Sequence, residues 1–565
     1  ECGYPPFLQT IINGHGNEAQ INRDFLSMGI ALYGENEEPY RYAAYCILEQ
    51  LVPMRAFEYR SARHNQGIGY GSYRFNFEMH AAWLMRRMAG REIFDPGIRD
   101  VYYYWLYARQ PDGSMIMDGD RSMRGGYYKN IPVTFMCSTY AANPIFKGEF
   151  QRQGGTENIN LLDPLIFLMI NDPDLKGDPD LSKLPTAHLF RGPLASIIFR
   201  TGWNIAPDSN DALVEMKASE YNNANHQHVD AGAFQIYFRG ELATDLGMYK
   251  FSGTPYDFGF NKRSVAHNVM LIHDPAETFE RGNPSNDGGQ RVVSRTATSV
   301  KMLTSDPHFH TAETRFMAAG PDLHRPEYAY FRSNLAPAYS DKIRFYERSF
   351  CTLKFADPER PVALITIDRV ESARADHPKY YQLNTLRAPV QTPEGLTYLA
   401  RRKNPGKLTV QMLLPENPAV TVLSGKKAWD IFGKELAPPL PKDKQANGTR
   451  TLFAPSRAQK DDLFVTVLQA GGETSKPYPV QWKKGDDLVE ISIGEWLAVL
   501  STAKKPLNGT FYFTVPEGCK KVVLCGLAAG EWRLDCGKEI RKFSVNSLEG
   551  TAYLEVPAGM CRISR

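Results

Sequence analysis

The densest set of chemically capable side chains lies between Asn222 and Gly247, in Asn-Asn-Ala-Asn-His-Gln-His-Val-Asp followed by an apolar run and Leu-Ala-Thr-Asp-Leu-Gly. His226, His228 and Asp230 alternate with Gln227 and Val229, so an extended segment sends all three from one face. Asp245 follows after a turn, and His267 stands in Ser-Val-Ala-His-Asn. Two imidazoles and a carboxylate form a tetrahedral zinc site when water or protein completes it. Spacing alone leaves two readings open, a metal site or histidines held by structural hydrogen bonds. No Cys-x-x-Cys or His-Glu-x-x-His motif decides between them.

Two segments nearer the N-terminus add to this set. Gly14-His15-Gly16-Asn17-Glu18 stands at the start of a helical pattern, where free backbone N–H groups favour an anion. His64-Asn-Gln-Gly-Ile-Gly-Tyr-Gly-Ser-Tyr-Arg74 carries glycines that let backbone approach a ligand, with tyrosines ahead of the next helix. Tyr73 and Arg74 read as helix-start packing and a solvated charge.

The elements that must position these groups differ along the chain. Phe234, Ile236 and Phe238 alternate into Arg239-Gly240-Glu241, and residues 242–245 return, which predicts a hairpin. The first 150 or so residues read as helices: Ile21, Phe25, Gly29 and Leu32 recur at helical spacing, and residues 40–51, 75–88 and 98–108 follow. Tyr102, Tyr103, Tyr104, Trp105 and Tyr107 suit a sugar-binding groove, but core packing is the preferred reading. Residues 150–190 read as a connector. Short strands with polar turns then predict an antiparallel sandwich, and a smaller β domain closes the chain. The expected divisions are residues 1–185, 186–472 and 473–565.

Composition bounds the class. A chain of 565 residues with 42% hydrophobic residues suits a multidomain globular protein with large cores. A net charge of +3 is too mild to argue for nucleic acid, but leaves room for a local cleft that binds a polyanion. No apolar run is long enough to span a membrane. The cysteines are scattered, with Cys519, Cys525, Cys536 and Cys561 near the end offering a disulfide if the protein is exported. The chain opens at Glu1 without an initiator methionine and shows no signal peptide, so an exported home stays open.

Cys2-Gly-Tyr-Pro-Pro, Gly14-His-Gly-Asn-Glu, Gln66-Gly-Ile-Gly-Tyr, Asn225-His-Gln-His-Val-Asp-Ala-Gly-Ala-Phe-Gln-Ile-Tyr, Ala266-His-Asn and Asn286-Asp-Gly-Gly-Gln-Arg occur in this order. Together they resemble the heparinase II/III-like polysaccharide lyases. The resemblance implies an α+β multidomain fold: an N-terminal incomplete α/α toroid, a central antiparallel β-sandwich and a smaller C-terminal β domain. The resemblance also implies a further helical segment ahead of the point matching Cys2, so the toroid is expected to be incomplete over the residues given.

The resemblance also implies a chemistry and its residues. The expected reaction is β-elimination at a uronic acid of a heparin or heparan sulfate-type polymer. His15, Tyr70 and His226 match catalytic positions: His15 at the uronate carboxylate, Tyr70 as acid and base, His226 as base for the opposite C5 configuration. Glu18, Asn65, Tyr249 and Tyr256 match substrate-contacting positions, while His228, Asp245 and His267 match ligands of a structural zinc. A polyanionic polysaccharide partner, a homodimer and a periplasmic or secreted location are expected on the same basis. A uronyl C5-epimerase, a lyase on another uronate polymer and a catalytically silent carbohydrate-binding protein are the competing readings. The epimerase shares the proton abstraction and differs in its product.

Overall fold

The computed structural model describes residues 20–279, 285–293, 297–440, 446–537 and 539–565. Helices come first: Gln20–Phe25 with Leu26–Ala31, then the run Glu38–Tyr45, Cys46–Leu51 and Val52–Glu58, then Ser72–Ala89 and Tyr102–Tyr107. The rings of Tyr102, Tyr104, Trp105 and Tyr107 are buried in the helical core, as the packing reading expects. Ile131–Tyr140, Pro144–Arg152 and Pro164–Ile170 complete this part. The last of these lies in the stretch read as a connector. Asp163 accepts hydrogen bonds from the Leu165 and Ile166 N–H groups, so a cap and a proline nucleate a helix there.

From Ala187 onward the regular structure is mostly antiparallel sheet, joined by long irregular loops. An eight-stranded sheet forms the middle layer, and its central strand Val362–Ser372 is buried on both faces. Val362 and Leu364 pack with Phe199, Val214 and Ile236 of the five-stranded sheet that begins at Ala187. Ala363, Ile365 and Ile367 point the other way, against Ile491, Trp496 and Val523 of the C-terminal sandwich. This double burial explains why the strand reads as a continuous apolar run rather than an alternation.

The five-stranded sheet joins the helices to the sandwich. Ile198, Leu213 and Tyr237 belong to the helical core, while their strand neighbours Ile197, Val214 and Ile236 belong to the sandwich core. Strands Phe234–Phe238 and Glu241–Ala243 pair antiparallel, which is the expected hairpin. Residues 222–233, however, form an irregular loop ahead of it, with Ala224 and Asn225 at positive φ. His226, His228 and Asp230 therefore do not share a strand face, because the polar Asn222-to-Asp230 run has no ladder partner and turns instead.

The C-terminal domain is a sandwich of one five-stranded and one four-stranded sheet. Cys536 and Cys561 are direct cross-strand partners in it and form a disulfide. Among the described residues, no helix is long and apolar enough to cross a membrane.

Candidate active site

Three loops meet at the junction of helices and sheet, and buried side chains on two neighbouring strands pin two of them. Gln235 on the strand Phe234–Phe238 donates to the Met117 carbonyl at 2.6 Å and accepts from the Met117 N–H at 3.1 Å. Lys217, at the end of Ala212–Lys217, holds Asp118 at 2.6 Å and Asp230 at 2.5 Å. Residues 118–121 and the histidine loop are thus fastened to the same sheet. A buried ammonium between two carboxylates is costly to break, about 3–5 kcal/mol when one partner is removed.

The third loop is the helical turn Gly67–Gly71, which crosses residues 118–120 at backbone contact distance. A Cβ on Gly67 would sit 2.3 Å from the Asp118 carbonyl oxygen, and one on Gly119 would sit 2.8 Å from that of Gln66. Both glycines also hold positive φ, so this crossing excludes any side chain. It fixes Tyr70 relative to Asp120.

At the centre, the Tyr70 and His226 rings stack with centroids 3.6 Å apart and planes 10° from parallel. Tyr249 meets both edge-on, at 5.3 Å and 5.5 Å. His226 Nδ1 lies 2.5 Å from Asp120 Oδ2, and Arg74 donates through Nη2 to His226 Nε2 at 3.1 Å. Guanidinium can only donate, so Nε2 carries the lone pair and Nδ1 the proton. Burial pushes the His226 pKa down to about 4 against the opposing pull of Asp120, leaving a neutral imidazole near pH 7. Burial and the hydrogen bond with Tyr249 push the Tyr70 phenol up to about 12.

Two clefts open at this stack. One of about 680 Å³ is lined by Tyr70, Tyr73, Asp120, Arg121, Tyr128 and Lys129. The other, of about 300 Å³, is lined by His226, Asn225, Tyr249, Phe258 and Lys262. A neutral base, a proton donor and cations between two clefts suit proton abstraction beside a bound anion.

Behind His226 lies the candidate metal position. His228 Nδ1 is 3.2 Å from His267 Nε2, and His267 Nδ1 is 3.0 Å from Asp245 Oδ2. Asp230, Asp245 and His267 also bring ligand atoms within 4.8 Å of one another. The Asp230 oxygen nearest His267 also accepts from Lys217, while His228 lies on the other side of His267. Asp245 Oδ1 is buried with no hydrogen-bond partner among the described residues, and the nitrogen and oxygen donors suit zinc. His267 turns different nitrogens to its two neighbours.

Of the other expected residues, His15 and Glu18 lie outside the described residues. Asn65 is buried, its amide has no partner among the described residues, and its backbone N–H donates to Glu58 at 2.6 Å. Tyr256 does not reach a cleft: it is 1% exposed and packs between Phe251 and Phe260. The apolar cluster beneath the hairpin claims its ring, so a sugar contact for Tyr256 is corrected to a core role. Arg74 is also corrected, since a 5% exposed guanidinium on His226 is not a solvated charge.

Comparison with known proteins agrees with this architecture. Residues 482–565 match the Heparinase II C-terminal domain family. The model aligns with the heparan sulfate lyase HepC mutant from Pedobacter heparinus at TM-score 0.54 and 14% identity, covering 88% of this chain and 68% of that one. The chain has the heparinase II/III-like fold. A Heparinase III structure aligns at TM-score 0.54 and 12% identity, covering 87% of this chain and 69% of that one. The chain therefore spans about two thirds of the length of these solved structures. No curated protein sequence matches it.

On this heparinase-like fold, the structure brings together Tyr70, His226, Tyr249, His228, Asp245 and His267, all named from the sequence. Sequence reasoning missed Asp120 and Lys262. Asp120 joins His226 across 106 residues, and its local context, Met-Asp-Gly-Asp-Arg, reads only as a turn. Lys262 lies 3.2 Å from Asp120 and 5.0 Å from the centre of the Tyr249 ring, with no local pattern to mark it.

Proposed function

We infer that the chain is a polysaccharide lyase that cleaves uronic-acid-containing glycosaminoglycans of the heparin and heparan sulfate type by β-elimination. The stacked Tyr70–His226 pair between two clefts carries this reading. The substrate class follows the names of the structural relatives, one a heparan sulfate lyase and one a heparinase.

In this reading the neutral His226 Nε2 takes the C5 proton of the uronate. The C–H electron pair becomes the C4=C5 double bond, the C4–O bond breaks, and the Tyr70 hydroxyl protonates the leaving oxygen. Arg74 leaves Nε2 for the uronate carboxylate, which bares the base and stabilises the charge that develops at C5. The proton then returns from His226 to the Tyr70 oxygen across the stacked rings, restoring both groups. For the opposite C5 configuration Tyr70 faces the proton and must first ionise. Zinc held by His228, Asp245 and His267 would cross-link the histidine loop to the hairpin end and to residue 267, a structural service to His226.

The Cys536–Cys561 disulfide supports an oxidising, periplasmic or extracellular home. The direct test is ultraviolet absorbance with heparin, heparan sulfate, chondroitin sulfate and alginate in parallel. Elimination creates a conjugated unsaturated uronate, so absorbance should rise with the first two alone. A flat trace with all four overturns the lyase reading, and C5 deuterium exchange without elimination would establish an epimerase in its place.

A further inference from the structure

Asp120 is 1% exposed and serves two histidines at once. Its Oδ2 lies 2.5 Å from His226 Nδ1, and its Oδ1 lies 2.9 Å from His228 Nε2. Asn261 donates to Oδ1 at 3.3 Å and Lys262 approaches Oδ2 at 3.2 Å, so every facing group is a donor. A carboxylate that accepts from a ring nitrogen fixes which nitrogen of that ring keeps the proton.

The two histidines are gripped by opposite nitrogens, and this has a geometric result. Held at Nδ1, His226 keeps its lone pair on Nε2, the atom that faces Arg74 and the cleft. Held at Nε2, His228 keeps its lone pair on Nδ1, the atom that faces His267. We propose that Asp120 is the positioning residue that sets both tautomers, so that one carboxylate orients the base and aims a neighbouring imidazole at the metal position. Its effect on turnover rests on the lyase reading above; its effect on the imidazoles does not.

The test pairs a spectroscopic measurement on the unaltered chain with one substitution. In the full chain labelled with ¹⁵N-histidine, two-bond nitrogen–proton correlations should show His226 protonated at Nδ1 and bare at Nε2, and His228 the reverse. Spectra of His226→Ala and His228→Ala assign the signals. Asp120→Asn should lower kcat by about 10- to 100-fold with KM within about threefold, and weaken zinc binding by about tenfold or more. His226→Ala should lose turnover and keep zinc, while His228→Ala should lose zinc, so only the Asp120 substitution carries both losses at full strength.

An Nε2-protonated His226 overturns the proposal, as does an Asp120→Asn chain that loses only one of the two properties. If that variant does not fold, the tautomer spectrum of the unaltered chain decides alone. If the unaltered chain turns over no uronate polymer, the lyase reading fails while the spectra and zinc titration still judge Asp120.

Discussion

The Tyr70 and His226 rings lie face to face, 3.6 Å between centroids, although 156 residues separate them in the chain. The stack is held from below by Asp120 and from the side by Tyr249 and Arg74. Donor and base are thus fixed at contact distance before any substrate arrives, which removes part of the ordering cost of a concerted elimination.

Tyr70→Phe keeps the stack and removes the hydroxyl. Turnover should fall by about 10²- to 10⁴-fold with KM little changed, the size expected for loss of a positioned proton donor. The pH dependence separates its two roles. With the phenol raised to about 12, Tyr70 is protonated across the working range and donates without titrating. Where it must act as base, its ionised fraction and hence the rate rise about tenfold per pH unit below that value. Residual turnover of His226→Ala should therefore climb with pH for the epimer whose proton faces Tyr70. A flat profile from pH 7 to 9 for that epimer would rule Tyr70 out as its base.

Gly119→Ala alters no group that touches substrate, yet it should impair the site. The new methyl would meet the Gln66 carbonyl oxygen at 2.8 Å and the His226 carbonyl oxygen at 3.2 Å, at a φ of +64°. Strain of about 1–3 kcal/mol is expected, relieved only by parting the Tyr70 turn from Asp120. Thermal melting should drop by several degrees and kcat should fall with it. An unchanged kcat would show that the crossing is not what sets Tyr70 against His226.

These two predictions draw on different layers of what the sequence discloses. Motif spacing drew attention to His226, His228, Asp245 and His267, while Tyr70 stood out from its neighbouring tyrosines only through the family resemblance. Apolar patterning likewise marked the hairpin and the helical-then-sheet order. Asp120 was not legible, since its meaning comes from partners 106 and 108 residues away. Tyr256 misled for the opposite reason: a tyrosine beside a candidate cleft looks alike in sequence whether its ring faces sugar or packs on Phe251 and Phe260.

Metal removal tests the second half of the site. If zinc joins His228, Asp245 and His267, the chain as purified should contain about one zinc per molecule, and His267→Ala should contain almost none. Chelation should lower the melting temperature of the unaltered chain while leaving that of His267→Ala unmoved. Equal zinc content in the two proteins would exclude His267 as a ligand.

Glu215 gives a stability prediction with a defined sign. It is buried on the strand Ala212–Lys217, accepts from Gln235 at 2.8 Å, and is pushed up to about 8 by burial and by the Asp118 charge. Its folded value exceeds the unfolded one near 4.3, so the protonated carboxyl stabilises the fold fully below about pH 4. That contribution is lost as pH rises towards and through 8. Asp118, held low by Lys217 and Arg63 despite its burial, stays ionised and adds no slope in this window. Glu215→Gln removes the titration and keeps the shape. Its melting temperature should match the unaltered chain near pH 4.5 and exceed it by several degrees at pH 8.5. Parallel melting curves across that range would mean that Glu215 is already ionised at neutral pH, and that Lys217 and Arg63 neutralise it together with Asp118.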